Sequence, residues 1–411
     1  MRIVGGSTIA PGTSPGTLNV NGNVSLAAGS TVQYEIAATA PWDRILATGT
    51  ASLNGTAAFT NLSGANAYAF NSTYLLLQAD GGRTGTFANT TGFAGFGIIY
   101  RPELVYTGTQ VSLRFAPNLL ANIVGNTPLT ANQRSVVTRI DTAVTAGYNP
   151  QPLFNIYILP NAQLPGAFDQ LSGEVYATAA GVGIEQERLF KEAVLGRIGS
   201  VAMAARADAD AGKGAGVWGQ FFGGWGDGES DGNAASFESD RTGFITGVDF
   251  GGANDTSSWR LGVYGMRVQS DVTIAARVSQ AEVRQAGGGA YASFNTGGFG
   301  VAVGGYLTSV DLRAFRDIAL PGFAETDVGD TDGKARQAFA ELSYAFGSGN
   351  SYLRPFVNGT IGSFKLDPLT ETGGPAALVM RKQSYSTGTV TGGIDGSVLV
   401  GKKLRLGGTL A

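Results

Sequence analysis

Gly228-Glu229-Ser230-Asp231-Gly232 matches the pattern of a nucleophile elbow. That pattern puts a serine on a sharp strand-to-helix turn and needs a histidine to take its proton. The 411-residue chain contains no His, so neither a His-based triad nor a His-based zinc site can form. These five residues read as a surface loop. Asp208-Ala209-Asp210-Ala211-Gly212 and the stretch from Asp327 to Asp332 suggest calcium loops, but neither has the ligand spacing or the terminal Glu. Both read as solvated acidic loops. Gly212-Lys213-Gly214-Ala215-Gly216 is too short for a phosphate loop and lacks the Lys-Ser/Thr pair. No catalytic, cofactor-binding or metal-ligating residue is assigned, and no cofactor is expected.

The elements around these stretches say more. From Val217 onward, strands of about ten residues alternate apolar with polar or small residues. Phe299, Val301, Val303, Gly305 and Leu307 alternate with Gly300, Ala302, Gly304 and Tyr306. Val390, Gly392, Ile394 and Val398 oppose Thr389, Thr391, Gly393, Asp395 and Ser397. The connections alternate in length. Asn254–Ser258, Asn295–Gly298, Gly347–Ser351 and Gly401-Lys402 are short, whereas Gly226–Asp240, Ser270–Ala281, Arg316–Lys334 and Asp367–Gln383 are long. A transmembrane barrel segregates loop length by end, and a soluble sandwich has no reason to. Trp218, Trp225 and Trp259 fit an aromatic girdle at the membrane interface, or else packing in a core. About nine strands fit before Ala411. An open edge has no partner in a bilayer, so the sequence is expected to stop short of its last strands.

Composition agrees. The 63 glycines suit close strand packing, and 22 Phe, 14 Tyr and 4 Trp belong to a folded chain. The net charge of −3 argues against nucleic acid. The absence of Cys suits passage through an oxidising compartment, and equally a Cys-poor source. There is no apolar run long enough for a membrane helix. The N-terminus lacks a signal-peptide core, so an exported chain would have its true start elsewhere.

Four segments are expected. Residues 1–116 hold short strands (Thr17–Val20, Thr31–Ile36, Tyr74–Gln78) punctuated by Asn21-Gly22 and Asn54-Gly55. They fit coils of a parallel β-helix, with a β-sandwich left open. Residues 117–171 form a linker with a helix from Ala131 to Ala146. Residues 172–216 hold a second helix, about Ser172 to Ala205, and a hinge from Asp208 to Gly216. Its apolar positions Phe190, Val194, Ile198, Val201 and Ala205 have helical spacing, although Gly181, Gly183, Gly196 and Gly199 weaken its continuity. Residues 217–411 form the barrel.

The run Val217-Trp218-Gly219-Gln220-Phe221-Phe222-Gly223-Gly224-Trp225-Gly226 resembles the opening strand of the autotransporter β-domain of type V secretion. Thr242-Gly243-Phe244, Trp259-Arg260-Leu261-Gly262-Val263, Gln337-Ala338-Phe339 and Pro355-Phe356 continue the likeness in order. Phe168-Asp169-Gln170-Leu171-Ser172-Gly173-Glu174 resembles the motif before that family's central helix. Pro15-Gly16-Thr17-Leu18, Asp43-Arg44-Ile45 and Gly81-Gly82-Arg83-Thr84-Gly85-Thr86-Phe87 are similar to the autochaperone junction at the C-terminal end of a passenger.

The resemblance implies an all-β chain: the C-terminal end of a right-handed parallel β-helix, a linker with a pore helix, and an incomplete transmembrane antiparallel barrel with about 9 of 12 strands. It implies a translocator, not an enzyme, that anchors in outer-membrane lipid and assists export and folding of its upstream passenger at the cell surface. Barrel-assembly machinery is the implied partner. A helix carrying Glu185, Glu187, Arg188, Lys191, Glu192 and Arg197 suits a polar lumen, and packing beside the barrel is the other possibility. Some members cut this helix at an Asn-Asn pair, and none lies between Asn161 and Asn233. Three other readings stand beside the translocator: a surface adhesin that uses the barrel only as an anchor, an esterase or protease with its catalytic domain upstream, and a porin-like channel.

Overall fold

The computed structural model describes residues 1–348, 351–400 and 404–411. Two compact units divide the chain: 1–169 with 320–323, and 170–319 with 324–411.

The first unit coils. Each turn contributes one short strand to each of three sheets, and successive turns stack in parallel. Val24–Leu26, Thr31–Ile36 and Arg44–Ala47 make one turn; Ala51–Leu53, Thr56–Asn61 and Thr73–Ala79 make the next. Alternation sends Val32, Tyr34 and Ile36 inward, each fully buried. Like stacks on like, as Tyr34 does on Phe59 in register, with ring centroids 5.8 Å apart. Glycine makes the corners. At Gly55 φ is +75°, and a Cβ would lie 2.4 Å from the Ser30 carbonyl oxygen. The stack is closed by Tyr100–Tyr106 and Gln110–Pro117, which pair antiparallel, the latter also antiparallel with Thr73–Ala79. Tyr68, Phe96, Tyr100 and Phe115 fill the closed end. Parallel pairing between successive turns decides for a β-helix over a sandwich. The expected helix follows at Ala131–Thr145, opened by a reciprocal cap between Thr130 and Gln133.

In the second unit a long helix, Glu174–Ala207, precedes an antiparallel sheet. In chain order its strands are Gly214–Gly228, Phe237–Ala253, Ser257–Ile274, Ser279–Thr296, Phe299–Leu320, Phe323–Tyr344, Ser351–Leu366, Gln383–Val400 and Leu404–Leu410, each beside its sequence neighbours. These are the first to ninth barrel strands below. A short piece, Phe346–Ser348, also pairs with the seventh. The nine strands and the helix agree with the sequence reading, and the four helix glycines do not interrupt it. The expected turns at Gly347–Ser351 and Gly401-Lys402, with Lys403, lie wholly or partly outside the described residues.

Three expectations change. The first eight strands have 15 to 22 residues each rather than about ten, the fifth and sixth being the longest. Arg316–Lys334 is therefore almost all strand, Ser270–Ala281 keeps only 275–278 as its connection, and Asp327 lies in a strand rather than a loop. Polar residues there hid an alternation that continues because its inward half, Arg316 and Ile318 included, is buried. Third, Trp218 faces inward beside Tyr264 and Tyr291 (6.4 and 6.3 Å between centroids), so it leaves the girdle. Trp259 faces outward beside Phe250, and Phe294 lies opposite it in register. With Phe299, Tyr344 and Phe346 these make an exposed aromatic row near the short turns.

Candidate functional site

The Glu174–Ala207 helix lies inside the curl of the sheet, and its partners come from strands on several sides. At its start, the Glu174 carboxylate accepts from Arg277 (3.0 Å) and from the Ala235 backbone N–H (2.6 Å). Midway, Gln285 donates to the Gly183 carbonyl at 2.6 Å, Gln337 to Glu187 at 3.2 Å, and Lys191 to Asn358 at 3.3 Å, while Gln186 donates to Ser270. Near its end, Arg197 grips Asp249 through two nitrogens at 2.8 and 3.1 Å. The second, third, fourth, sixth and seventh strands are all engaged. This is the arrangement of a helix within a lumen and not of one packed beside a wall.

Direction along the helix is fixed by these contacts. Arg277 and Ala235 belong to connections on one end of the sheet, the end that carries the long connections 229–236 and 367–382. At the other end the chain leaves the helix through a short turn capped by Asp208, and Arg260 donates to the Gly212 carbonyl at 3.1 Å. The helix enters at the long-loop end and leaves at the short-turn end. Thirty-four residues at about 1.5 Å each give roughly 50 Å, enough to pass a bilayer.

The lumen is packed. Val175, Ala179 and Val182 meet Val283, Leu312 and Phe364, and Phe190 lies 5.6 Å from Tyr306. Val194 and Ile198 join Ile245 and Met266. At Gly183 the helix lies close against the wall, since a Cβ there would meet Phe364 at 2.8 Å. A cavity beside Ile198, Ala202 and Arg260 has about 10 Å³, room for at most one water. The expected polar lumen is thus half apolar, with polar contacts placed where the helix meets particular strands.

Buried charge clusters hold both ends. Near the short turns, Asp249 also accepts from Arg260 and from the Tyr291 hydroxyl at 2.7 Å. At the long-loop end, fully buried Arg316 binds Asp327 (2.9 Å) and Glu371 (2.8 and 2.7 Å) and donates to the carbonyls of Gln170 and Ala376. Tyr176 donates to the same Glu371 at 2.7 Å. A small hairpin, Leu369–Thr370 with Val379–Met380, carries Leu378 and Met380 onto the apolar cluster around the helix start. One arginine therefore joins the fifth and sixth strands to a loop folded over the lumen.

The sequence motifs are not brought together. Ser230 is in an exposed loop and donates to the Ala234 carbonyl. Asp210 pairs with Lys213 at 2.7 Å, whereas Asp327 serves Arg316 and Asp330 pairs with Arg313. Sequence reasoning missed Asp249, Arg260, Arg316 and Glu371. A signal existed for three of them: charged residues at inward positions of an alternating strand demand a buried partner. Glu371 had no such signal, because loop closure alone places it.

Residues 217–411 match the family model described as Autotransporter beta-domain. Two curated relatives from Serratia marcescens, both described as extracellular serine protease, are 24% and 23% identical over 257 and 256 residues, each match covering 62% of this chain and 24% of the relative. The chain thus spans about a quarter of their length. Among solved structures, the translocator domain of autotransporter NalP from Neisseria meningitidis aligns at 17% identity and a TM-score of 0.41, over 58% of this chain and 78% of that one.

Proposed function

We take residues 217–411, an autotransporter β-domain, as the premise and infer from it how the whole chain works. The chain is an outer-membrane translocator unit with a linked passenger displayed at the cell surface, and this reading is favoured over that of an adhesin. Such a domain is not itself catalytic. As a proposal, residues 1–116 are the β-helical end of the passenger, 117–171 the linker, 172–216 the lumenal helix with its hinge, and 217–411 the translocator. The chain as a whole does no chemistry of its own, and any activity lies in passenger sequence upstream. Its partners are outer-membrane lipid and the machinery that assembles barrels.

The observation that carries this reading is the direction of the lumenal helix. A helix that enters at the long-loop end and leaves at the short-turn end puts its own start at the outer face and the start of the barrel at the periplasmic face. The wall suits it: Val263, Leu307 and Ile361 face outward, exposed, as lipid contacts. The helix plugs the path it marks, so a passenger already exported cannot slip back through it.

The test uses the absence of native cysteine. Ser230→Cys, in a long loop, is expected to react with a membrane-impermeant maleimide on intact Gram-negative cells. Thr256→Cys, in a short turn, is expected to react only after the outer membrane is permeabilised. The reverse pattern would overturn the orientation, and equal labelling of both would overturn the membrane location.

A further inference from the structure

Outward positions on the sixth, seventh and eighth strands change character together. On the sixth, Leu342, Ala340 and Ala338 are followed by Arg336 and Lys334; on the seventh, Val357 and Ile361 by Ser363 and Lys365; on the eighth, Ile394, Val390 and Gly388 by Ser386 and Ser384. Register aligns the change. Lys334 lies opposite Lys365 and Arg336 opposite Ser363, while Lys365 lies opposite Ser384 and Ser363 opposite Ser386. Three cations and the hydroxyls of Ser384 and Ser386 thus share one small outward face, with Ser363 buried beside Arg336. It begins where the apolar face ends, on the long-loop side.

The face lacks charge balance. Like charges directly opposite on neighbouring strands repel, yet among the described residues neither lysine has an ion pair. Nearby carboxylates serve other cations: Asp330 pairs with Arg313 at 3.4 Å and Asp367 with Lys382 at 3.6 Å. Asp332, the next outward residue beyond Lys334, forms no ion pair with either lysine among the described residues. Arg336 is held in place by its bond to the Ser363 hydroxyl at 3.0 Å. Lysine and arginine stems reach along apolar surface and put their charge at headgroup depth. An anion with several acceptor oxygens, seated between Lys334 and Lys365, would turn their repulsion into a clamp.

We propose that Lys334, Arg336, Lys365, Ser384 and Ser386 form a docking site for the phosphorylated headgroup of a lipid in the leaflet at the long-loop end. The acyl chains lie along Ile361, Val357 and Ala338. This rests on the outer-membrane reading above and adds to it a headgroup chemistry and a place on the wall.

The test inserts the full chain into vesicles of phosphatidylcholine, with or without added lipid A bearing sugar-linked phosphates. Mild detergent extraction and native mass spectrometry then count the lipid retained. Wild type is expected to keep lipid A in preference to phosphatidylcholine, and to lose the preference for the dephosphorylated form. Each cation near an anionic lipid surface is worth about fivefold in affinity, so K334Q/R336Q/K365Q should weaken retention on the order of a hundredfold. The charge-preserving K334R/K365R and the distant outward R267Q should retain it. Wild type holding phosphorylated and dephosphorylated lipid equally, a result that needs no variant to fold, would overturn the site, as would equal retention by the triple variant. Failure of wild type to insert into either kind of vesicle would instead overturn the outer-membrane reading, and this site with it.

Discussion

Removing the Asp249 carboxylate should loosen the lumenal helix at its exit. Asp249 is buried and receives two bonds from Arg197, one from Arg260 and one from Tyr291. In Asp249→Ala the Arg260 guanidinium, itself buried, keeps only its bond to the Gly212 carbonyl among these contacts. Breaking a buried pair by deleting one partner costs about 3–5 kcal/mol, because the other charge is left uncompensated. Arg197 adds less, since its side chain is 23% exposed and water can replace part of what it loses. The expected total is therefore about 3–4 kcal/mol, most of it from Arg260. Arg197→Ala, which leaves Asp249 with Arg260 and Tyr291, should cost about 1–2 kcal/mol. The assay is urea unfolding of the full chain refolded in detergent micelles, read by the shift in midpoint at constant slope. Planar-bilayer conductance run alongside should rise for Asp249→Ala as the helix end frees the lumen. A loss below about 1 kcal/mol with unchanged conductance would refute the claim that this cluster anchors the helix.

Three further outcomes are expected. Arg316→Ala strands Asp327 and Glu371, both buried, and should release the loop that carries Glu371; limited proteolysis should then cut near Gly373-Gly374 at a rate the wild type does not show. Val263→Arg puts a cation on the outward apolar face and should cost about 2–4 kcal/mol of barrel stability in bilayers, while the same change at the exposed loop residue Glu229 should cost little, as read by unfolding in vesicles. In the β-helix, burial raises the Asp43 carboxyl above its ordinary 3.8, against the pull of N–H bonds from Glu35 and Gly16. The folded state therefore binds this proton more tightly than the unfolded chain does. Its contribution to stability should fall as pH rises from 3.8 through the folded value and level off above it, and a urea-midpoint series across acid pH should lose that slope in Asp43→Asn.

Much of this architecture was readable before any coordinates. Alternation at Phe299–Leu307 named the outward and inward faces correctly, because a strand has no other way to place successive side chains. Asn54-Gly55 announced a corner that only glycine tolerates. Phe190, Val194 and Ile198 marked a helix despite its glycines. The reading stumbled where one pattern serves two settings. Arg316–Lys334 is polar enough to be a loop, and Trp218 sits at the edge of a strand like a girdle residue.

What the sequence decided by itself is local: strand and helix periods, and the absence of histidine and cysteine, which removes whole classes of chemistry. These depend on neighbours a few residues apart, and the chain carries them wherever it goes. Only the tertiary structure decided that Arg316 would meet Glu371, that Asp249 would hold both Arg197 and Arg260, and that Lys334 would face Lys365. Those partners lie up to 55 residues apart. They meet through strand register and the curl of the sheet around one helix, and register is a property of the paired sheet that no short window of sequence contains.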